Sequence, residues 1–261
     1  MDDNTKTENI RRFWNDQGDK FLDSIEATTP DPLAKELELE ALEAVLDRSK
    51  RTLEAGCGNG YNLFSLSTHI KEDLVGFDYS NSMIEVANKT LLNKPKLSSR
   101  ISFYNASILD DISSLGSFPQ IFTDRCLINL TSINQQIDAL NNLSNMLDFG
   151  GNLVLIESTK QGQSALNSLR EYAGLPKIPS RWHNLFIDEE EFFRNIPDSL
   201  MHVKTENFSS LYFVISRVFN AKLAPQGKEP DYMSEINKLA KSIPTFGANS
   251  PLKLFQFKKV K

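Results

Sequence analysis

The sequence contains few cysteines and histidines. Its 261 residues include two cysteines, Cys57 and Cys126, and three histidines. None of them falls into the C-x-x-C or H-x-x-x-H spacing of common metal sites. We therefore expect no bound metal and two reduced, buried thiols, as is typical of a cytoplasmic protein.

Long apolar runs and an excess of positive charge are also missing. No segment approaches the roughly 20 apolar residues that cross a bilayer, and the opening MDDNTKTENIRRFW lacks the apolar core of a signal peptide. We expect no transmembrane segment and a cytoplasmic location. The 29 Lys and Arg against 34 Asp and Glu give a net charge of −5. This acidic balance disfavours nucleic acid as a substrate.

Apolar runs alternate with helical patterns through the first 160 residues. Strands are predicted at 51–55, 74–77, 101–104, 120–123 and 152–156, and helices at 33–46, 61–69, 82–92 and 133–147. In the helix 33–46, Leu33, Leu37, Leu39, Leu42 and Leu46 mark the buried face. Further helices are predicted at 164–172, 188–194 and 209–222, and strands at 202–208 and 252–260. The alternation predicts right-handed βαβ crossovers and a mainly parallel sheet.

A glycine loop follows the first predicted strand. Glu54 precedes Gly56, Gly58 and Gly60, in the order Glu-Ala-Gly-Cys-Gly-Asn-Gly. Glycines permit a tight turn and a close approach of a ligand to the backbone. The spacing G-x-G-x-G differs from the dinucleotide fingerprint G-x-G-x-x-G. The loop alone fits either a turn without ligand or a nucleotide site.

Asp78 ends the second predicted strand, about 20 residues after the glycine loop. In doubly wound folds an acid at this place accepts hydrogen bonds from ribose hydroxyls. The alternative is an aspartate that caps a turn or a helix. Because the acid and the loop occur together, they indicate a nucleoside ligand.

Four segments carry a resemblance to a known family. LEAGCGNG, VGFDYSNSMIEVANK, SFYNASILDD and LSNMLDFGGNLVLIES resemble, in order and spacing, the class I S-adenosylmethionine-dependent methyltransferases. The likeness runs from about residue 39 to 157, and 252–260 resembles the closing strand. It implies a Rossmann-like, doubly wound α/β fold with a mainly parallel seven-stranded sheet, and S-adenosyl-L-methionine as cofactor.

The same resemblance implies the cofactor-binding residues. They are Glu54, Gly56, Cys57, Gly58, Gly60, Asp78, Tyr79, Met83, Ser107, Ile108 and Arg125. One position departs from the family, because Ala106-Ser107 stands where Gly-Asp often meets the adenine amino group. Arg125 either contacts the cofactor carboxylate or anchors its loop through a salt bridge.

Candidate acceptor-side residues follow the fifth predicted strand. His183 is the best candidate for a general base, since it lies in a proline-bounded loop beside Arg181 and Trp182. Glu157, at the carboxyl end of the fifth strand, is a second candidate for a base or an acceptor ligand. Arg170 and Tyr212 are further candidate acceptor-binding residues. For each residue, packing or a solvated surface charge is the alternative.

The variable segments suggest an acceptor class. ESTKQGQSALNSLREYAGL, RWHNLFIDEEEF and NFSSLYFVISRV are similar to methyltransferases associated with bacterial surface-polysaccharide synthesis. The similarity implies O-methylation of a sugar or glycan hydroxyl. Methylation of another small metabolite or lipid precursor, or nucleoside binding without catalysis, are the alternatives. The oligomeric state stays open.

The chain divides into a small and a large predicted part. Residues 1–32 are expected to form a helical flap over the cofactor, because Phe13, Trp14 and Phe21 need a surface to pack against; plain packing is the alternative. Residues 33–261 form the methyltransferase domain, with substrate-specific segments around 160–200 and 209–250.

Overall fold

A seven-stranded sheet forms the centre of the protein. The computed structural model describes residues 3–225, 228 and 230–261. The strands are β1 (Thr52–Ala55), β2 (Leu74–Asp78), β3 (Ile101–Asn105), β4 (Phe118–Asp124), β5 (Leu147–Ser158), β6 (Leu200–Glu206) and β7 (Leu252–Lys259). They lie in the order β3-β2-β1-β4-β5-β7-β6. Strands β1 to β5 are parallel, and β7 runs antiparallel to both of its neighbours.

The central strands are covered on both faces. Every residue of β1 and β2 is buried, as expected for parallel strands with helices on either side. Two apolar clusters result, one on each side of the sheet. The predicted Rossmann-like α/β fold with a mainly parallel seven-stranded sheet is confirmed.

Helices surround this sheet. They are α1 (Asp3–Phe21), α2 (Pro32–Val45), α3 (Tyr61–Leu66), α4 (Asn81–Leu92), α5 (Ile133–Met146), α6 (Lys160–Tyr172), α7 (Glu189–Arg194), α8 (Ser210–Val214), α9 (Asn220–Leu223) and α10 (Glu235–Ser242). Several begin at a short polar side chain that accepts a hydrogen bond from a backbone amide of the first turn: Asp31, Ser80, Ser132, Thr159 and Asp188. Such caps satisfy amides that have no partner within the helix. No helix in the described ranges is both long and apolar enough to cross a bilayer.

Helix α2 buries the predicted leucine face together with two charged side chains. Leu33 and Leu42 are buried as expected, but Leu37 and Leu39 are only half-buried. Lys35 and Glu38 take part in the buried face as well. The leucine spacing was therefore an incomplete guide, because the helix packs two charged side chains against the carboxyl end of β4.

The predicted helix 209–222 is irregular. It consists of α8, a π-helical turn (Ile215–Phe219) and α9. π-Helical turns are rare and frequently occur at functional sites. This turn carries Arg217, whose position becomes important for the acceptor side of the cleft.

Helix α1 packs across α4. Gly18 lies so close to α4 that a Cβ there would come within 2.7 Å of Ser82 Oγ. Asn15 Oδ1 accepts a hydrogen bond from Ser80 Oγ at 2.8 Å, and Trp14 Nε1 donates to Asn129 Oδ1 at 3.2 Å. The aromatic residues of α1 thus have a packing surface. That residues 1–32 form a flap over the cofactor stays a prediction.

Gly162 allows α6 to approach the segment that enters β7. A Cβ on Gly162 would lie 2.0 Å from the carbonyl oxygen of Ser250. Gly→Ala within a helix normally gains about 1 kcal/mol, but such a clash forces a backbone shift that costs about 1–3 kcal/mol. We expect Gly162→Ala to lower the free energy of unfolding, measured by urea denaturation.

The matched control is Ser164→Ala, at an exposed position of the same helix. It should leave the free energy of unfolding within about 0.5 kcal/mol of the wild type. Equal stability of Gly162→Ala and the wild type would contradict the close approach of α6 to Ser250.

Candidate active site

A cleft of about 310 Å³ opens at the carboxyl ends of the central strands. Its lining comes from the loops after β1, β2, β4 and β5 and from α1, α2 and α6. Further lining residues are Ile178, Pro179, Arg181, His183, Asn184, Phe186, Phe213, Arg217 and Tyr232. The chain leaves β1 for β2 on one side and later places β4 on the other. Ligands of open α/β sheets bind at this kind of switch point.

The glycine loop turns tightly between β1 and α3. Gly56 adopts a φ of +74°, and a Cβ there would lie 2.5 Å from Cys126 Sγ. The amides of Gly56 and Cys57 donate to Phe77 O at 2.8 and 3.0 Å, which ties the loop to β2. Both the backbone conformation and the lack of space require glycine at position 56.

Asp78 joins the glycine loop to the start of α4. Its carboxylate accepts hydrogen bonds from Gly58 N at 2.9 Å and Ser80 N at 2.8 Å. Burial raises the pKa of Asp78, although the backbone donors oppose this effect. The side chain lines the cleft, so its remaining lone pairs are available to ribose hydroxyls.

The predicted cofactor residues divide into two groups. Eight line the cleft: Glu54, Gly56, Cys57, Gly58, Asp78, Tyr79, Met83 and Arg125. Gly60 instead caps α3, with a φ of +80°. Ser107 and Ile108 also lie outside the lining, because Ser107 Oγ accepts from Leu109 N at 3.2 Å and Ile108 packs in the apolar core. These three residues lie outside the cleft lining, and their contact with the cofactor stays a prediction.

Four charged side chains form a cluster between α2 and the end of β4. Lys35 Nζ pairs with Glu38 at 2.6 Å and with Asp124. Arg125 pairs with Glu38 at 3.2 Å and with Asp124 at 3.6 Å. Burial opposes ionisation of Asp124, but the charges of Lys35 and Arg125 outweigh it and lower its pKa. Arg125 therefore has the loop-anchoring salt bridge, and it also lines the cleft.

The backbone of Arg125 is in an unfavourable conformation. Its φ is +56°, a region that a residue with a long side chain rarely adopts. Its amide donates to Ile156 O at 2.7 Å, and this bond to β5 helps hold the turn. Conformations of this kind cluster at functional sites, in agreement with the place of Arg125 at the cleft.

Several buried acceptor atoms in this region have no hydrogen-bond donor among the described residues. They are Glu38 Oε1, Glu54 Oε2 and Asn62 Oδ1, together with Asp124 Oδ1, which has the ion pair with Arg125 at 3.6 Å but no hydrogen bond. Asn62 Nδ2 donates to both Glu54 at 2.7 Å and Asp124 at 3.0 Å, so these side chains are held together. Unsatisfied buried acceptors are costly, and a group of them fits a ligand ammonium.

The cleft thus fits S-adenosylmethionine. The unpartnered acceptors suit its ammonium, Lys35 and Arg125 suit its carboxylate, and Asp78 suits its ribose. The backbone of the glycine loop is accessible to the part of the cofactor between its ribose and its amino-acid end.

Aromatic rings surround His183. Phe13 stacks on the imidazole at 4.4 Å between ring centroids, and Trp14 and Trp182 meet it edge-on at 5.5 and 5.4 Å. His183 is 3% exposed and lines the cleft, and its Nδ1 has no hydrogen-bond partner in the described part of the chain. Burial, aided by the charge of Arg181, lowers the pKa of His183 to about 4. The ring is therefore neutral near pH 7.

Glu157 lies below the cleft and does not line it. Its carboxylate accepts hydrogen bonds from the amides of Cys126, Leu127 and Ile128 at 3.0, 2.9 and 3.3 Å, and from Thr123 Oγ1 at 2.9 Å. These donors commit the side chain to closing the turn after β4. Its position gives no support to a role as a base or an acceptor ligand, and that role stays a prediction.

Three predicted acceptor-binding residues also lie outside the cleft lining. Arg170 donates to the carbonyl oxygens of Pro176, at 2.8 Å, and Arg217, and so ties two segments together. Tyr212 is buried, and its hydroxyl donates to Asp31 at 2.7 Å. Trp182 is 58% exposed and packs edge-on against Phe13. Substrate contact by these three stays a prediction without support from their positions, whereas Arg181 does line the cleft.

Sequence reasoning missed several lining residues. They are Asp31, Lys35, Glu38, Asn62 and Arg217, whereas Trp14 belongs to the helix expected to form the flap. Lys35 and Glu38 gave a signal, since two charges at i, i+3 share the side of α2 with Ala34 and Leu42. Asn62 and Arg217 gave none, because their helices supply no reason to expect a polar contact.

A family of methyltransferase domains matches residues 46–192, which is more than half of the chain. The chain belongs to this family. The predicted membership of the class I S-adenosylmethionine-dependent methyltransferases is confirmed, and the donors and acceptors of the cleft agree with that cofactor. No curated protein sequence matches the chain significantly.

Solved structures share the fold at low sequence identity. The N-methyltransferase NodS from Bradyrhizobium japonicum WM9, in complex with S-adenosyl-L-homocysteine, is 18% identical with a TM-score of 0.55; the match covers 95% of this chain and 99% of that one. The geranyl diphosphate C-methyltransferase from Streptomyces coelicolor A3(2) is 13% identical with a TM-score of 0.64 and 98% coverage of both chains. The CcbJ methyltransferase from Streptomyces caelestis is 13% identical, with a TM-score of 0.60 and coverage of 94% and 98%.

Glu54 predicts how cofactor affinity depends on pH. Burial raises the pKa of Glu54 to about 8, so its carboxyl is protonated below that pH. A ligand ammonium favours the ionised form, whose fraction rises up to tenfold per pH unit below the pKa. We expect the Kd for S-adenosylhomocysteine, measured by calorimetry, to fall as the pH rises from 6.5 to 8.

Glu54→Gln should remove most of this pH dependence, because the amide does not titrate. Glu43→Gln, at an exposed position of α2, is the control and should keep it. The same pH profile in Glu54→Gln and the wild type would show that another group binds the ammonium.

Proposed function

We propose that the protein transfers a methyl group from S-adenosylmethionine to a hydroxyl group of a small polar acceptor, and specifically of a sugar. The observation that carries this proposal is the presence of a neutral, buried histidine in the same cleft as the nucleoside-binding loop. An amine acceptor can react once unprotonated, whereas a hydroxyl benefits from a base that removes its proton.

The cofactor supplies a methyl group bonded to a positively charged sulfur. The chain contributes alignment, which accounts for a large part of the rate in a displacement of this kind. The glycine loop and Asp78 hold the nucleoside, while Glu54, Lys35 and Arg125 hold the amino-acid end. The rest of the cleft lining comes from residues that follow β5, and this part is the one left for an acceptor.

In the proposed reaction the acceptor oxygen forms a bond to the methyl carbon. The carbon–sulfur bond breaks and its electron pair stays on sulfur, which gives S-adenosylhomocysteine. The hydroxyl proton passes to a ring nitrogen of His183. Since the pKa of His183 is about 4, the neutral ring is present throughout the neutral range, but it is a weak base until the acceptor changes its surroundings.

The lining of this part of the cleft supports a polar acceptor with apolar faces. Arg181, His183 and Asn184 offer hydrogen-bonding groups, and Tyr232 and Phe186 offer ring faces. Sugars present both kinds of surface. The resemblance of the variable segments to enzymes of surface-polysaccharide synthesis favours a sugar, while the structural relatives are named for other acceptors.

Two measurements separate this proposal from its alternatives. Calorimetry with S-adenosylmethionine and S-adenosylhomocysteine tests the cofactor, and failure of both to bind would reject the proposal. Transfer of a labelled methyl group to saccharides, other metabolites and lipid precursors tests the acceptor. Transfer only to a compound that is not a saccharide would reject the sugar, and cofactor binding without any transfer would favour a non-catalytic nucleoside-binding protein.

His183→Ala should lower kcat by about 100-fold or more, the usual contribution of a general base. The Kd for S-adenosylhomocysteine should change little, because the ring is not part of the nucleoside-binding loop. His183→Phe keeps an aromatic ring against Phe13 and removes both nitrogens, so it should be equally impaired. Methyl-transfer kinetics and calorimetry check both variants.

His202→Ala serves as the control, because His202 is exposed on β6. It should retain the kcat of the wild type. If His183→Phe also retained that kcat, the ring nitrogens would have no part in the reaction.

A further inference from the structure

Positive and negative charge are unevenly distributed in the cleft. The lining residues before β5 include the carboxylates of Asp31, Glu38, Glu54, Asp78 and Asp124. Among the described lining residues from Ser158 onward, the charged side chains are Arg181 and Arg217, and there is no carboxylate. Asp31 pairs with Arg217 at 2.6 Å, so Arg181 is the lining cation of this segment that no carboxylate compensates among the described residues.

Arg217 is held as a fixed cation. Its guanidinium lies 4.4 Å from the centroid of the Tyr232 ring and 4.8 Å from that of Phe213. It pairs with Asp31 at 2.6 Å, and the π-helical turn that carries it is tied to α6 through Arg170. Aromatic stacking and the ion pair limit its motion.

Arg181 differs from Arg217 because its charge is uncompensated. Within the described ranges, no carboxylate lies at salt-bridge distance from its exposed guanidinium, although it lines the cleft two residues from His183. Its charge contributes to the low pKa of His183, after burial. An arginine in this setting lowers the strength of the proposed base until a negative charge neutralises it.

We propose that the acceptor carries an oxyanion, a carboxylate or a phosphate ester, which binds Arg181 beside the hydroxyl that is methylated. This rests on the proposed function and narrows its acceptor class to acidic sugars and sugar phosphates. The guanidinium is the preferred protein group for both oxyanions, because its planar donors pair with two oxygens at once. Arg217 also lines the cleft, but its charge is compensated by Asp31.

Neutralising Arg181 has a consequence for the base. Once an oxyanion pairs with the guanidinium, the repulsion that disfavours the imidazolium form of His183 decreases. The pKa of His183 then rises in the acceptor complex, and the ring becomes a stronger base when a substrate is present. A neutral acceptor leaves this repulsion in place.

Binding is measured first, on the complex of the full chain with S-adenosylhomocysteine. The probes are D-glucuronate, D-glucose 6-phosphate and D-glucose, which differ in the oxyanion but share the sugar ring. We expect at least one of the two anionic probes to bind about tenfold more tightly than glucose, and binding to weaken with added salt. The two anionic probes distinguish a carboxylate from a phosphate ester.

Arg181→Gln should remove the preference for the anionic probe while the Kd for S-adenosylhomocysteine stays unchanged. The matched control is Lys177→Ala on the same loop, since Lys177 is 63% exposed and pairs with Glu171 at 3.1 Å. It should keep the preference. The proposal is wrong if the wild type binds all three probes equally or binds none of them. It is also wrong if Arg181→Gln keeps the preference for the anionic probe.

Kinetics then separate this proposal from the proposed function. Among the hydroxyl acceptors that are methylated, one that carries an oxyanion should have a higher kcat/KM than its neutral analogue. Arg181→Gln should abolish this difference. If neutral hydroxyl acceptors are methylated with the same kcat/KM as their anionic analogues, the proposed acidic acceptor is wrong. The proposed methyltransferase activity is then unaffected. A protein that binds no S-adenosylhomocysteine would fail at the proposed function instead.

Discussion

The buried cluster of Lys35, Glu38, Asp124 and Arg125 joins α2 to the carboxyl end of β4. Removing charges from water is costly, and a buried ion pair is poor evidence of stabilisation by itself. Removal of one member, however, leaves its partners uncompensated, which typically costs about 3–5 kcal/mol. The cluster therefore makes the position of α2 depend on that of β4, and it keeps ionised groups in a cleft that needs them for a zwitterionic ligand.

The two sides of the cleft are connected through the start of the same helix. Asp31 caps α2 through Ala34 N at 3.1 Å, and it also accepts from Tyr212 and pairs with Arg217. One turn further along, α2 presents Lys35 to the cofactor side. The polar contacts of Asp31 at the start of α2 thus set the position of the π-helical turn relative to the cofactor-binding residues of α2.

The sequence was sufficient for the sheet and the nucleoside side of the cleft because both are encoded locally. Continuous apolar runs predict buried parallel strands, and the turn after β1 requires glycine wherever that turn occurs. Asp78 was identifiable because its role follows from its place at the end of β2. The same reasoning located His183 and Arg181 in a loop, although their contacts with each other and with α1 come from distant segments.

What the sequence determined alone was the order of elements, the glycine loop and the acid that follows it, since each depends on neighbours in the chain. Only the tertiary structure decided which carboxylates face the cleft. Glu157 is taken up by three amides of the turn after β4, whereas the side of α2 that carries Glu38 meets the cofactor side. It likewise decided that Arg170 and Tyr212 tether segments while Arg217 lines the cleft. The physical reason is that a polar side chain bonds to whichever donors the fold brings near it, and those donors lie far away in sequence.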